Sequence, residues 1–255
     1  MSRHKGLLRW SPLILLAAIV LVWQLAVRAF GVSSYMLPAP TEIALQFAEY
    51  PGPLLEGAWR TFWVTMVGFG IGIVVGVLLG FLIGSSRVAY EAMFPLMVAF
   101  NAVPKSAIVP IFVIWLGIGI GPGIVTAFVI CFFPITVNIA TGLATLEPEL
   151  EDVLRVLGAR RWDVLTKVGL PRTMPYFFGS LKVAITLAFV GTTLAEMTAG
   201  EAGIGYLINT ATSQTRMPLA FAGLVTIGVL AMAAYQFFSW LEMRTTGWAH
   251  RGSQA

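Results

Sequence analysis

The sequence predicts an all-α membrane protein with six transmembrane helices, and its composition is the first reason. Hydrophobic residues make up 58% of the 255 residues and charged residues 11%, whereas soluble domains have roughly 45–50% and about 25%. A water-soluble fold of this size could not bury so much apolar surface. The second reason is that the apolar residues fall into six runs, each near the roughly 20 residues that cross a bilayer as a helix.

The six apolar runs are residues 12–30, 61–84, 92–116, 121–146, 175–195 and 219–241. Arg3, Lys5 and Arg9 precede the first run, as they would precede the apolar region of a signal peptide. That run is too long for such a region, and no clear small-residue cleavage site follows it. We therefore expect it to be retained as a membrane span. Pro95, Pro104, Lys105 and Pro110 interrupt the third run, and a helix broken between Pro104 and Pro110 could open to a cavity.

Positive charge predicts the side of the membrane on which each loop lies. Six spans put both termini on one side, and with that side cytoplasmic the inner segments hold eleven Lys and Arg residues against three outside. The 151–171 segment, in which seven of 21 residues are charged, is then cytoplasmic. Between the first two spans, Thr41 and Glu42 before an apolar period predict a short helix along the outer surface.

The second run carries five glycines at strict intervals of four. On a helix they form one ridge roughly 24 Å long. A ridge without side chains lets another backbone approach closely, which favours a helix–helix seam; a moving seam and a pore lining are the alternatives. The glycines are Gly68, Gly72, Gly76, Gly80 and Gly84.

Several chemistries are disfavoured by what the chain offers. The single cysteine, Cys131, allows no intrachain disulfide, and both histidines, His4 and His250, lie in the terminal tails. We therefore expect no metal site, no catalytic centre and no nucleic-acid partner. A secondary transporter driven by an ion gradient is the alternative, but no Asp lies in any span and Glu196 is the only candidate Glu. No Gly-Lys dipeptide occurs, so we expect no phosphate-binding P-loop, and the energy must come from another chain.

The cytoplasmic 147–172 segment predicts two short helices that meet at Gly158, which suits the left-handed end of a helix. It resembles the EAA loop of the permease subunits of binding-protein-dependent ABC importers. Asp152, Gly158, Leu170 and Pro171 match the spacing of that loop. The departure is Asp-Val-Leu where the family reads Glu-Ala-Ala. The remaining residues that resemble the usual filling of the loop are Arg155, Ala159, Arg161 and Trp162.

The resemblance extends over roughly residues 54–241 and includes the stretches PIFVIWLGIG, LPRTMPYFFGSLKVA and AEMTAGEAGIGYLI. These look like the branch that handles nitrate, sulfonates, taurine and pyrimidine precursors of thiamine. The resemblance implies a type I importer permease core at 58–244, after an N-terminal part at 1–57 and before a cytoplasmic tail at 245–255. It also implies a bacterial inner-membrane location with both termini cytoplasmic.

The same resemblance implies the partners. The loop would seat in a cleft of a separate ATPase, present in two copies that hold the ATP and Mg, with Leu157 and Trp162 buried against it or against the span ends. A second permease copy, identical or merely similar, would complete the pathway, and a periplasmic or lipid-anchored binding protein would deliver the solute. ATP hydrolysis would therefore belong to a partner and not to this chain.

Ionisable groups within spans are the candidates for the solute pathway, because their insertion costs about 2.5–3.5 kcal/mol each. Lys105 would suit an anionic solute, or it would pair with carbonyls or with Glu196 for structural reasons. Glu196 precedes Gly203 and Gly205, and in the resembling family this segment belongs to the outer gate. The other polar candidates, each of which could instead make a helix–helix hydrogen bond, are Asn101, Asn138 and Thr192.

Overall fold

The computed structural model describes residues 2–144, 156–158 and 160–246, and every secondary-structure element in these ranges is a helix. A π-helical turn, Leu165–Gly169, joins α7 to α8. The α-helices are α1 Ser2–Ala29, α2 Pro40–Glu49, α3 Pro51–Gly84, α4 Arg87–Ala102, α5 Lys105–Leu116, α6 Ile120–Ala144, α7 Arg161–Val164, α8 Leu170–Ala199, α9 Ile204–Ser213 and α10 Met217–Thr245. The predicted all-α class is confirmed.

The predicted spans fall on helices that can cross a membrane. By length and composition five helical segments qualify, and a sixth is counted if the bent pair of α4 and α5 is one span. The third predicted run is not one continuous helix. It consists of two helices, α4 and α5, which meet at 82°. Val103 is extended (ψ 126°) because the residue before a proline avoids the helical region, and Pro104 then caps α5. Pro95 and Pro110 lie inside their helices without ending them.

The segment between α1 and α3 contains the predicted short helix, with a different start. Helix α2 begins at Pro40, and the side chain of Glu42 accepts a hydrogen bond of 3.0 Å from the backbone N–H of Ala39. Helix α3 then begins at Pro51, ten residues before the predicted apolar run. The expected boundary between residues 57 and 58 therefore falls inside a continuous helix.

The core lies where α3, α6 and α8 pack together. Phe69 of α3, Ile135 of α6, and Ile185 and Phe189 of α8 are at most 2% exposed. A second apolar cluster joins α9 to α10 and to α2, and it contains the fully buried Ile204. By contrast, the apolar part of α1 is almost entirely exposed, as expected of a helix that faces lipid.

The glycine ridge of α3 faces α6, and these two helices contact each other more extensively than any other described pair. A methyl group on Gly76 would lie 2.9 Å from Cβ of Ile135, and one on Gly80 would lie 2.8 Å from Cβ of Ile139. One on Gly72 would overlap the sulfur of Cys131. The backbones approach so closely that no side chain fits between them. A methyl group on Gly68 or Gly84, the outer members of the row, would likewise lie too close to a backbone carbonyl oxygen of α6.

Aromatic side chains mark both ends of the bundle. Trp59 and Trp63 form an edge-to-face pair at the start of α3, next to α9, and we call this the α9 end. At the opposite end, which holds α7, the guanidinium of Arg244 lies 4.7 Å from the ring centroid of Trp240. Such rings are enriched at the two interfaces of a membrane.

The glycine seam predicts a strong effect of Gly76→Leu. The added side chain would force α3 away from α6, because the closest atoms belong to the buried Ile135 and to a backbone carbonyl. We expect a variant that inserts but unfolds at a lower temperature and is aggregated in detergent, since overpacking costs about 1–3 kcal/mol or more. Fluorescence-detected gel filtration after heating measures this. The matched control is Gly70→Leu on the same helix, where a Cβ meets open space. Equal stability of the two variants would contradict the seam.

Candidate functional site

A buried carboxylate organises the α9 end. Glu196, near the end of α8, is 7% exposed. Its carboxylate accepts hydrogen bonds from the hydroxyl of Thr61 at 2.8 and 3.0 Å and from the backbone N–H of Gly205 at 2.9 Å. The Thr61 hydroxyl in turn accepts the backbone N–H of Ile204 at 2.9 Å. Two free N–H groups at the start of α9 are thus satisfied by side chains of α3 and α8.

Two glycines make this arrangement possible. Gly203 has φ +109°, and a Cβ there would overlap the Glu196 carboxylate. A Cβ on Gly205 would lie 2.5 Å from the carbonyl oxygen of Thr193 and 2.7 Å from Cβ of Glu196. Any larger residue would push α9 off the end of α8. The Glu196 cluster, which we define as Glu196, Thr61, Gly203, Ile204 and Gly205, therefore fixes α9 across the end of the bundle.

Threonine hydroxyls continue this polar contact toward the centre of the bundle. The hydroxyl of Thr65 donates to the carbonyl oxygen of Thr61 at 2.7 Å and lies 2.9 Å from the hydroxyl of Thr192. All three threonines are completely buried between α3 and α8. Thr192 therefore makes the helix–helix hydrogen bond that was the alternative to a pathway role.

An open cavity of about 520 Å³ adjoins the Glu196 cluster. Gly203 forms part of its wall, and the half-buried Arg60 lies where its positive charge attracts the Glu196 carboxylate. Other charged and aromatic residues come from the first turns of α3 and the residue before it, the loop before α9, α9 itself and the residue before α10. They are Tyr50, Glu56, Glu201, Tyr206 and Arg216.

Lys105 lies at the bend between α4 and α5, and its hydrogen bonds go to a residue other than Glu196. Its ammonium donates to the backbone carbonyl of Asn101 at 2.9 Å and to the Asn101 side-chain oxygen at 2.7 Å, and lies 6.0 Å from the ring centroid of Phe133. The predicted alternative in which Lys105 pairs with carbonyl groups is therefore observed, whereas the predicted pairing of Lys105 with Glu196 was wrong. Asn138 donates only within its own helix, to the carbonyl of Pro134 at 2.8 Å.

The 147–172 segment, predicted to be a cytoplasmic hairpin, is described in part. Asp152, Arg155 and Ala159 lie outside the described residues. Gly158 has φ +86°, the left-handed conformation expected of a helix corner. Leu157 is 77% exposed.

After the corner the chain becomes helical again at Arg161. The ring of Trp162 is 64% exposed and makes an edge-to-face contact with Phe81 at the end of α3, with centroids 5.8 Å apart. The chain then continues through the π-helical turn into Leu170 and Pro171 at the first turn of α8. Asp163 and Lys167 form a 2.8 Å ion pair across that turn.

Two features of the site were not predicted. Thr61 was counted only as the first residue of a span, although its position beside Arg60 at the membrane boundary could have marked it. Lys182 falls within the fifth predicted run, 175–195, but its partner Glu242, 60 residues later, was not identified. No cluster of three His, Cys, Asp or Glu side chains in the described part of the chain could hold a metal ion.

Comparisons with known proteins agree with this geometry. Residues 72–247 match the model of a family described as binding-protein-dependent transport system inner membrane component. A riboflavin transport system permease protein of Chloroflexus aurantiacus is 33% identical over 91% of this chain and 88% of its own length. A formylaminopyrimidine transport permease protein of Halalkalibacterium halodurans is 27% identical over 93% of this chain and 95% of its own. A putative aliphatic sulfonates transport permease protein of Bacillus subtilis is 28% identical over 92% and 86%.

Solved structures show the same fold. Two structures titled as inward-facing conformations of the MetNI methionine ABC transporter cover 73% and 75% of this chain and 95% of their own, with TM-scores of 0.59 and 0.65 at 18% identity.

The Glu196 cluster predicts that Thr61→Val loosens α9. Valine keeps the shape but leaves the Glu196 carboxylate short of one donor and the Ile204 N–H without an acceptor, and each such loss costs about 1–3 kcal/mol. We expect faster amide hydrogen exchange over residues 203–213 and a lower unfolding temperature. The control is Thr198→Val, which removes an exposed hydroxyl bonded only to the carbonyl of Leu194. Exchange at α9 that is the same in both variants would refute the role of Thr61.

Proposed function

The chain belongs to the family of binding-protein-dependent transport system inner membrane components, and we propose from this that its 147–172 segment couples a separate ATPase to solute movement. Family membership makes the chain the permease subunit of an ABC importer for small solutes, a membrane subunit without catalysis of its own. Such a subunit works with an ATPase and a substrate-binding protein. The finer assignments below are proposals.

The exposed apolar corner of the 147–172 segment carries the proposal. Val156 and Leu157, the two residues before the left-handed Gly158, are 88% and 77% exposed. Exposed apolar side chains at a water-facing loop favour a partner surface. Helix α7 runs through the π-helical turn into α8, so a push on this corner would be carried into the bundle. The charged residues, Arg155 and Arg161 among them, would form the rim of the contact and improve its registry more than its affinity.

The ATPase is proposed to be present in two copies that hold the ATP and Mg. A second permease copy would then complete the assembly, because the solute path of one chain is open on one side. None of the residues of α4 is buried, and in α5 Ile114 and Trp115 are 80% and 72% exposed. We propose that α4 and α5 of two chains face each other, in a homodimer or with a similar chain.

A periplasmic or lipid-anchored binding protein would dock at the α9 end, above the Glu196 cluster, which would form part of the outer gate.

We propose that the chain lies in a bacterial inner membrane, with α7 and both termini in the cytoplasm. The excess of Lys and Arg in the segments assigned to that side supports the orientation. The aromatic side chains at both ends of the bundle, Trp59 at one and Trp240 at the other, support a span between two interfaces.

The solute is proposed to pass the bend between α4 and α5, and we propose an anion such as a sulfonate, nitrate or carboxylate. The ammonium of Lys105, exposed at a break in the helix, would attract it, with Asn101 beside it as a further polar group. A planar heterocycle is the second candidate, a class that includes a pyrimidine precursor of thiamine. Aromatic rings favour it: Phe100 lies 5.9 Å from Phe132, near Lys105 and Phe133. The relatives named for riboflavin and formylaminopyrimidine support the same class.

The coupling proposal predicts that Gly158→Asp inserts into the membrane but no longer binds the ATPase. The change adds a side chain and a negative charge at the corner of the proposed contact, where the backbone favours glycine. Co-purification of the ATPase in mild detergent should fall by about tenfold or more, which corresponds to ~1.4 kcal/mol of lost affinity. The control is Gly31→Asp, also at positive φ and in open space, but in the loop after α1. Normal recovery of the ATPase with Gly158→Asp would refute the proposal.

The pathway proposal predicts that Lys105→Gln slows uptake of an anionic solute while ATPase binding stays normal. We would reconstitute the complex and measure ATP-dependent uptake of three probes: an alkanesulfonate, riboflavin and a formylaminopyrimidine. We expect the wild type to take up the sulfonate and neither heterocycle. In the variant, uptake of the sulfonate should fall about tenfold, because the attracting charge is lost. The control is Arg87→Gln, an exposed cation paired with Glu91. Uptake of either heterocycle instead of the sulfonate would overturn the anionic assignment and favour the second candidate.

A further inference from the structure

A second buried charge contact lies at the opposite end of the bundle from Glu196. The ammonium of Lys182 on α8 is 2.5 Å from a carboxylate oxygen of Glu242 on α10, and the side chains are 19% and 11% exposed. Charges removed from water are costly unless they are paired. In a membrane span they are expected to have a role, because a pair of apolar residues would cost nothing to insert. Nothing in the coupling segment or the solute path described above uses this pair.

The position of the pair relates it to the coupling segment. Lys182 is 12 positions after Leu170, about 18 Å along α8, and α8 continues directly from the π-helical turn and α7. Glu242 lies in the last turn of α10, and its backbone carbonyl accepts both the N–H and the hydroxyl of Thr246 at 2.8 Å. The pair therefore ties the inner end of the last helix to the helix that leaves the coupling segment.

The outer end of α10 is attached to α9. A methyl group on Gly223 of α10 would lie 2.7 Å from a side-chain carbon of Ile208 of α9, so the two helices touch closely there. Helix α9 is in turn held by the Glu196 cluster. Between these two attachments one face of α10 packs on the core through residues such as Leu230 and Phe238. The other face is exposed, with Val229 and Met232 63% and 60% exposed. The ion pair adds a polar contact with α8 near one end of α10, and α9 touches α10 near the other.

We propose that the Lys182–Glu242 ion pair makes α10 follow α8 when the coupling segment moves, so that both helices that hold α9 move together. This inference rests on the proposed function and assigns Lys182 and Glu242 a positioning role in it. Helix α8 moves with the coupling segment, and Glu242 is pulled with Lys182. Helix α9, which is bonded to Glu196 of α8 and touches Gly223 of α10, then moves with both.

An ion pair suits this role better than an apolar contact does. Lipid tails are as apolar as leucine, so two apolar helices in a membrane lose little when they separate into lipid. Separation of Lys182 from Glu242 would instead leave two uncompensated charges in a medium of low polarity. The pair therefore resists a pull that apolar packing would not resist. It can hold α10 in register with α8 during a large movement.

The test separates coupling from folding. The intact complex, with its ATPase and binding protein, is reconstituted in liposomes, and uptake of the probe that the wild type carries is divided by the ATP hydrolysed. A second readout is the distance between spin labels at Trp59 on α3 and Tyr206 on α9, with and without ATP. The variants are Lys182→Met, Glu242→Gln, the uncharged double variant Lys182→Met with Glu242→Leu, and the charge swap Lys182→Glu with Glu242→Lys. The matched control is Arg87→Met, which breaks an exposed ion pair with Glu91.

We expect each single variant, and the uncharged double variant, to hydrolyse ATP while uptake per ATP falls about tenfold and the ATP-dependent change in label distance is lost. The charge swap should recover both, and Arg87→Met should leave both unchanged. If the single variants do not assemble, the uncharged double variant, which leaves no unpaired charge, decides the question. Wild-type uptake per ATP in an assembled double variant would overturn the proposal. A wild-type complex without ATP-driven uptake would instead refute the proposed function.

Discussion

The close approach of α3 to α6 is the contact on which the rest of the structure depends. Hydrophobic driving force between helices is weak in lipid, so backbone contact must supply the attraction. The glycine ridge allows that contact over several turns. Helix α8 packs against α6 in the same way, since a methyl group on Gly191 would lie 3.0 Å from the backbone oxygen of Thr126. Once these three helices are fixed, the polar groups at both ends of the bundle have defined partners.

Those polar groups lie where further helices pack against this three-helix core. At the α9 end, Glu196 and Thr61 hold a helix of ten residues that is too short to cross a bilayer. At the α7 end, Lys182 and Glu242 join two long helices near the segment that would receive the ATPase. Both contacts are satisfied and both are buried, so breaking either one is costly. Elements held in this way move as units, which is what a permease that alternates between two states requires.

Local patterns predicted local structure well and tertiary pairing poorly. The glycine period, the apolar runs and the corner at Gly158 all reflect one helix or one turn, and each is visible in a few neighbouring residues. The bend at Pro104 could not be distinguished from the unbroken helix at Pro95, since surrounding contacts decide whether a proline ends a helix. Thr61 and Glu196 are 135 residues apart, and no periodicity connects them. For the same reason Lys105 was considered as a partner of Glu196, whereas it bonds to Asn101 within a few residues.

If a separate ATPase drives solute through this chain, transport must depend on that ATPase, and reconstitution measures this dependence. Liposomes containing the chain would be supplied with the ATPase, the binding protein and ATP, each omitted in turn, and accumulation of radiolabelled solute would be followed with and without proton and sodium gradients. We expect accumulation only with all three components, independent of either gradient. Accumulation driven by an ion gradient without the ATPase would contradict it and would identify the chain as a secondary transporter.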